Sequence, residues 1–240
     1  MKKLSFITLF TLALSGCMSA NMPLKNDAAA QIDTIDQVVL VPQSNLEVNV
    51  TSSDTGMAGL LGSLIFAGID AIRRSSAQEE AAPIIAELQD YDFRQVMLGA
   101  MTSEVSSQAV SSYKIDTKLE TVDSDSNRQI LFTKSKANAV MFNTVSYQVI
   151  SGNLVITSRI EMYPKSEALG KYRDNPQSSN ALSEGNLIYK GFFTYKMQGV
   201  TKENIESGLT NGAQDIARQI INDITHPESQ DGQSRLALAK

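Results

Sequence analysis

The C-terminal part of this 240-residue chain carries the pattern of a long amphipathic helix, which constrains the fold more than any other feature. Apolar residues from Ile205 to Ile224 recur at steps of three and four, as one face of a helix requires. Asn204 precedes the pattern, and His226-Pro227 ends it. A helix with a single apolar stripe must pack that stripe against another layer, which the rest of the chain has to supply.

Short runs of apolar, β-branched and aromatic residues predict a sheet as that layer. Ser151-Gly152-Asn153 joins two of the runs and predicts a hairpin. The aromatic residues of the last run alternate, so we expect them to pack under the helices. The predicted strands cover residues 38–41, 46–50, 115–122, 130–132, 139–150, 154–163 and 187–197.

Two further helices are expected between the second and third strands. The first spans residues 77–88 with Pro83 in its first turn, and the second begins at Asp92, which can cap it. This element order predicts an α+β fold: a mixed sheet of about five to six strands, helices packed on one face, and a long C-terminal helix.

The N-terminus has the features of a secretory signal. Met1-Lys2-Lys3 is cationic, and the apolar run 4–14 that follows is about 16 Å long as a helix, against a bilayer core of about 30 Å. The run ends in Leu14-Ser15-Gly16-Cys17, which resembles the lipobox of bacterial lipoproteins. The resemblance implies cleavage before Cys17 and acylation of that residue, with palmitate among the acyl groups. An ordinary secretory signal is the alternative.

The lipobox resemblance also implies a location, because Met18 and not Asp follows the cysteine. We therefore expect an outer-membrane lipoprotein that faces the periplasm, bound to the membrane through its N-terminal lipid. The expected organisation is a signal peptide (1–16), a lipidated tether (17–35), a single α+β periplasmic domain (36–225) and a disordered tail (226–240).

Composition limits the chemistry open to the chain. One Cys and one His rule out a disulfide framework and a Cys/His zinc site. Removal of the signal changes the formal charge from −5 to −7, which argues against a nucleic-acid partner. We expect no cofactor and no metal.

Three local patterns are better explained without a ligand. Residues 123–127 match the start of a calcium loop, but Arg128 and Lys134 stand where Gly and Glu are required, so we expect a polar β-turn. Gly56, Gly59 and Gly62 lack the spacing and the lysine of a phosphate loop. His226 has no evident catalytic partner and is placed to interact with the end of the last helix.

The segment 56–72 is the most unusual part of the sequence, because residues 57–69 contain no charge or amide. Thirteen residues are too few to cross a bilayer as a helix. The segment is expected to pack in the domain core or to contact an envelope protein, another copy of the chain or the membrane interface. The residues predicted for such contact are Gly59, Gly62, Leu64, Ile65, Phe66 and Gly68.

The element order over residues 36–225 loosely resembles the periplasmic lipoprotein domains grouped with the N-terminal domain of the translocation protein TolB and with curli-secretion-type lipoproteins. Together with the signal, it leads to a hypothesis of a non-enzymatic accessory or assembly factor of the cell envelope. One alternative is a homo-oligomeric lipoprotein that remodels or perforates the membrane through segment 56–72. Another is an envelope hydrolase that uses a pair of carboxylates.

Overall fold

Six strands form one mixed sheet in the computed structural model, which describes residues 21–49, 77–107, 113–175 and 180–227. The strands are β1 (Thr34–Leu40), β2 (Glu47–Asn49), β3 (Lys114–Glu120), β4 (Ala139–Ile150), β5 (Asn153–Pro164) and β6 (Tyr189–Met197). The helices are α1 (Asn26–Ala29), α2 (Ala77–Glu87), α3 (Phe93–Ser107), α4 (Asp125–Lys134) and α5 (Ile205–Thr225). The predicted α+β class, mixed sheet and long C-terminal helix are confirmed.

The strand order is β3-β1-β4-β5-β6, in which β1 is parallel to both of its neighbours and the β4–β5 and β5–β6 pairs are antiparallel. β2 continues the line of β1 and pairs in parallel with the last residues of β4. The predicted hairpin between β4 and β5 turns at Ser151 and Gly152, which both have positive φ. We call this end of the sheet the hairpin end.

One face of the sheet, here the helical face, carries α3 and α5. Alternate residues of β4 and β5, such as Met141 and Ile156, are buried there. α5 lies close to the sheet at Gly212, where an added Cβ would be 2.6 Å from the Tyr195 ring. The apolar stripe that predicted α5 is buried along its whole length, comprising Ile205, Leu209, Ala213, Ile216, Ile220 and Ile224.

The N-terminal boundary of the domain differs from the expected one. The expected tether spans residues 17–35, yet Leu24, Ala28 and Ile32 within it are buried in the core. These three residues are four apart, and the residues between them are polar or alanine, so no long run of large apolar residues marks them. The domain therefore begins at about Met22, which forms a backbone bridge with Lys190 of β6.

Residues 125–134 form α4, where a polar turn and an extended run 130–132 were expected. The Ser124 side chain accepts a hydrogen bond from the Asn127 amide and caps the N-terminus of α4. At the other end, Lys165 Nζ donates to the carbonyl oxygens of Phe132 and Ser135, both at 2.6 Å. Lys165 comes from the far end of β5, and this distant contact explains why the local pattern gave no sign of the helix.

Two predictions about the helices can be compared directly with the structure. Pro83 lies in the middle of α2 and not in its first turn, and Asp92 caps α3 as predicted, by accepting from the Arg94 and Gln95 amides.

Residues 1–20, 50–76 and 228–240, which include the signal, the uncharged segment and most of the tail, lie outside the described residues. No helix in the described ranges is long and apolar enough to cross a membrane.

Candidate interaction surface

The second face of the sheet is opposite α3 and α5, and α4 covers one part of it. Leu131 and Phe132 of α4 pack against a small second core, and Leu182, from a loop between β5 and β6, packs against the same core. That core is formed by buried residues that alternate with those of the helical face, namely Val38, Leu40, Val140, Phe142, Tyr163 and Leu187.

A charged network attaches α4 to the sheet. Arg128 donates to Glu161 Oε2 and to Thr144 Oγ1, both at 2.7 Å, and to both carboxylate oxygens of Asp123. Its guanidinium also lies over the Phe142 ring, 5.1 Å from the centroid. The side chains of Arg128 and Glu161 are only 12% and 9% exposed, so this is a largely buried ion pair.

The electrostatics of this network keep its arginine charged. Burial acts to lower the pKa of Arg128, but hydrogen bonds and charge interactions with Asp123 and Glu161 outweigh it and raise the pKa. Glu161 receives a second cation, Arg159, at 2.7 Å. Because these groups neutralise one another, we assign the network to holding α4 in place and not to binding a charged ligand.

Beyond α4, towards the hairpin end, the same sheet face is neither fully buried nor strongly polar. The buried Gln148 and the exposed Lys196 lie on this face opposite Val155. The other side chains there are half-buried or exposed, and they are mostly hydroxyl, β-branched or aromatic groups. They occupy adjacent rows across β4, β5 and β6. We call them the β5–β6 patch: Ser146, Val155, Thr157, Arg159, Phe192 and Thr194.

A row of hydroxyl groups crosses the β5–β6 patch. Ser146 lies opposite Thr157 in the register, with a side-chain hydrogen bond of 2.7 Å, and Thr157 lies opposite Thr194. A hydroxyl nucleophile requires an adjacent base. His226, the one histidine of the chain, instead contacts Thr225 and the Asn222 carbonyl at the end of α5. The hydroxyl row thus offers hydrogen-bonding groups at the surface of the patch.

Two concave regions lie elsewhere on the described part of the chain. A groove of about 420 Å³ runs between α3 and α5, with Glu104 and Arg218 among its lining residues. A smaller hollow of about 220 Å³ contains two carboxylates, Asp90 and Asp92. Asp92 uses one oxygen to cap α3, as described above. Within the described ranges, no three His, Cys, Asp or Glu side chains are grouped as a metal site would need.

The predicted contact residues and the β5–β6 patch are different parts of the chain. Cys17, Gly59, Gly62, Leu64, Ile65, Phe66 and Gly68 all lie outside the described residues, so their roles stay predictions. The expectation that the aromatic residues of the last strand pack under the helices is correct for Tyr189, Phe193 and Tyr195. It is wrong for Phe192, which lies on the other face of the sheet. The alternation of residues along β5 and β6 could have identified the patch, because it implies a second set of side chains on the other face of the sheet.

Comparisons with known proteins find no family model and no curated sequence that matches this chain. Among solved structures, a crystal structure of an uncharacterized protein is 10% identical, covers 84% of this chain and 95% of that chain, and gives a TM-score of 0.37. A dodecamer of a PelC variant from Paraburkholderia phytofirmans is 8% identical, with 81% and 91% of the two chains covered and a TM-score of 0.33. Similarities of this size carry no argument about function.

Proposed function

We propose that this protein is a lipid-anchored outer-membrane lipoprotein, facing the periplasm, that acts as a non-enzymatic accessory or assembly factor by binding another envelope protein. The anchor is Cys17, at the end of the sequence Leu14-Ser15-Gly16-Cys17. The binding surface is the β5–β6 patch. The single observation that carries this proposal is the composition of that patch.

In an antiparallel sheet with one solvated face, the residues on that face are usually charged or strongly polar. Here Val155, Phe192 and Thr157 stand at outward positions, and the nearby Arg159 already pairs with Glu161. The charged Lys196 lies opposite Val155, at the margin of this group. Aromatic and arginine side chains are enriched in protein–protein interfaces. The hydroxyl row adds hydrogen-bonding groups that can orient a partner without a charge match.

The test is site-specific photo-crosslinking in intact envelopes. A benzophenone amino acid replaces Phe192 in the patch or, as the control, Ile130, which is 50% exposed on α4. We expect a discrete adduct with another envelope protein at position 192 and none at 130. Equal adducts at the two positions, or none at either, would contradict the proposal.

A second pair of variants separates specific binding from general adhesion. Thr157→Lys combined with Thr194→Lys places two cations on the patch and should abolish the adduct at Phe192. Gln95→Lys, on an exposed position of α3, is the control and should leave the adduct unchanged. Thermal unfolding of each variant establishes that the domain stays folded.

One observation favours the homo-oligomeric, membrane-remodelling alternative. β2 ends at Asn49, opposite Ile150, so the chain leaves the sheet at the hairpin end only seven residues before segment 56–72 begins. Under this alternative the segment associates with copies of itself in the membrane. Sizing of the purified lipoprotein in detergent tests it: oligomers should disappear in a Gly62→Leu variant, and a monomer at high protein concentration would reject the alternative.

A further inference from the structure

We propose that the β6 edge of the sheet, and not the β3 edge, lies against the lipid bilayer. This rests on acylation of Cys17, the anchor of the proposed function. It follows from where the N-terminal chain is attached to the domain and from how few residues separate that attachment from Cys17.

The attachment is firm. Met22 and Lys190 exchange two backbone hydrogen bonds, of 2.8 and 2.9 Å, so the N-terminal chain pairs with the outer side of β6. Directly after this bridge, Leu24 is 1% exposed and Ala28 is fully buried. The core therefore fixes the point at which the N-terminal chain leaves the domain.

The reach from this point is short. Cys17 and Met22 are five residues apart, and a fully extended chain of that length spans at most about 18 Å. The opposite edge of the sheet, β3, is four strand spacings from β6, which is about 19 Å. An acyl group on Cys17 therefore brings the bilayer surface close to β6 and leaves β3 on the far side of the domain.

The chain direction and the charge agree with this placement. The Met22 bridge is antiparallel, so the chain enters Met22 from the side of Phe192. β6 carries two basic residues, Lys190 and Lys196, and no acidic residue, although Lys190 pairs with Glu184. β3 carries two residues of each sign, Asp116 and Glu120 beside Lys114 and Lys118, so its own charges cancel. A basic edge is the one that anionic lipid headgroups favour.

This placement also limits the kind of partner that the β5–β6 patch can bind. The patch includes Phe192 and Thr194 of β6 itself, so it lies beside the bilayer surface. Its partner must then be an integral or peripheral protein of the same membrane, or a second lipid-anchored copy. A protein that stays far from the membrane could not reach it.

The test measures the distance of each sheet edge from lipid. Cys17 is the only cysteine of the chain, and acylation blocks its thiol, so one introduced cysteine is the only labelling site. Thr194→Cys on β6 and Lys118→Cys on β3 stand on the same sheet face. Each lipidated variant carries a fluorophore and is inserted into phosphatidylethanolamine vesicles that contain phosphatidylglycerol and headgroup spin-labelled lipid.

We expect the probe at position 194 to lose most of its fluorescence and the probe at position 118 to keep most of its own. Equal losses, or a greater loss at position 118, would overturn the proposed orientation. Mass spectrometry of the N-terminal peptide reports acylation separately. An unacylated Cys17 refutes the anchor of the proposed function, whereas an acylated protein with equal losses refutes the orientation alone.

Discussion

The side-chain amide of Gln43 occupies the place of a strand peptide beside Tyr147. Gln43 Oε1 accepts from the Tyr147 amide at 3.0 Å, and Gln43 Nε2 donates to the Tyr147 carbonyl at 3.2 Å. These bonds fill the gap in the sheet between the end of β1 and the start of β2. A glutamine side chain thereby satisfies backbone groups of β4 that no neighbouring strand reaches.

Gln43→Ala should lower the free energy of unfolding by about 1–2 kcal/mol, because it leaves two partly buried backbone groups of Tyr147 without their partner. Urea denaturation measures the change. Gln95→Ala is the control, since Gln95 is exposed on α3, and it should alter stability by less than about 0.5 kcal/mol. Equal effects of the two substitutions would refute this account of Gln43.

Arg128→Met should cost about 3 kcal/mol of stability, because it leaves Asp123 and the buried Glu161 without their shared cation. Arg128→Lys should have an intermediate effect, since an ammonium cannot reproduce the four contacts of the guanidinium. The double variant Arg128→Met with Glu161→Gln should recover part of the loss. Chemical denaturation of all three variants gives the comparison, and an additive double variant would show that the two residues are not coupled.

Gly212→Ala and Gly99→Ala are the same substitution in two helices and should have opposite effects. A Cβ on Gly212 would meet Ile156 and would lie 2.6 Å from the Tyr195 ring, so α5 must shift away from the sheet, at a cost of about 1–3 kcal/mol. A Cβ on Gly99 has no atom within 4 Å, and alanine there should stabilise α3 by about 0.5–1 kcal/mol. Melting temperatures that move in the same direction would contradict this prediction.

Stability should fall as the pH rises above about 10, because burial raises the pKa of Tyr147 to about 12 while the phenol of an unfolded chain ionises near 10. Between these values the folded state binds more protons than the unfolded state, so the free energy of unfolding decreases with pH. Burial raises the pKa of Tyr113 as well. Tyr147→Phe should reduce the slope of stability against pH from 10 to 12, as measured by urea denaturation with absorbance at 295 nm. An unchanged slope would argue against this assignment.

The elements that were predicted correctly can be recognised from their local sequence patterns alone. α5 has a continuous apolar stripe, and the hairpin of β4 and β5 combines two strand patterns with a turn at Ser151 and Gly152. Both features are local, so neighbouring residues along the chain contain all the information that they need.

The elements that were missed depend on distant contacts. α4 is attached by Glu161 and Lys165, which are about 30 residues away in sequence. The core position of Leu24 depends on its packing in the folded domain, since a proline precedes it and polar residues follow it. The β5–β6 patch was missed for a related reason: alternation assigns residues to two faces, but it does not show how far each face is covered.

The attachment of α4 also has a consequence for the order in which the protein folds. The Ser124 cap is local, but the contacts of Arg128 with Glu161 and of Lys165 with the last turn of α4 both require β5 to be in place. We therefore expect α4 to become stable only after β5 is in place, and to open separately from the packing of α3 on α5. The second core beneath it, which includes Phe142, is then the part of the interior that water reaches first in a partial opening of the native state.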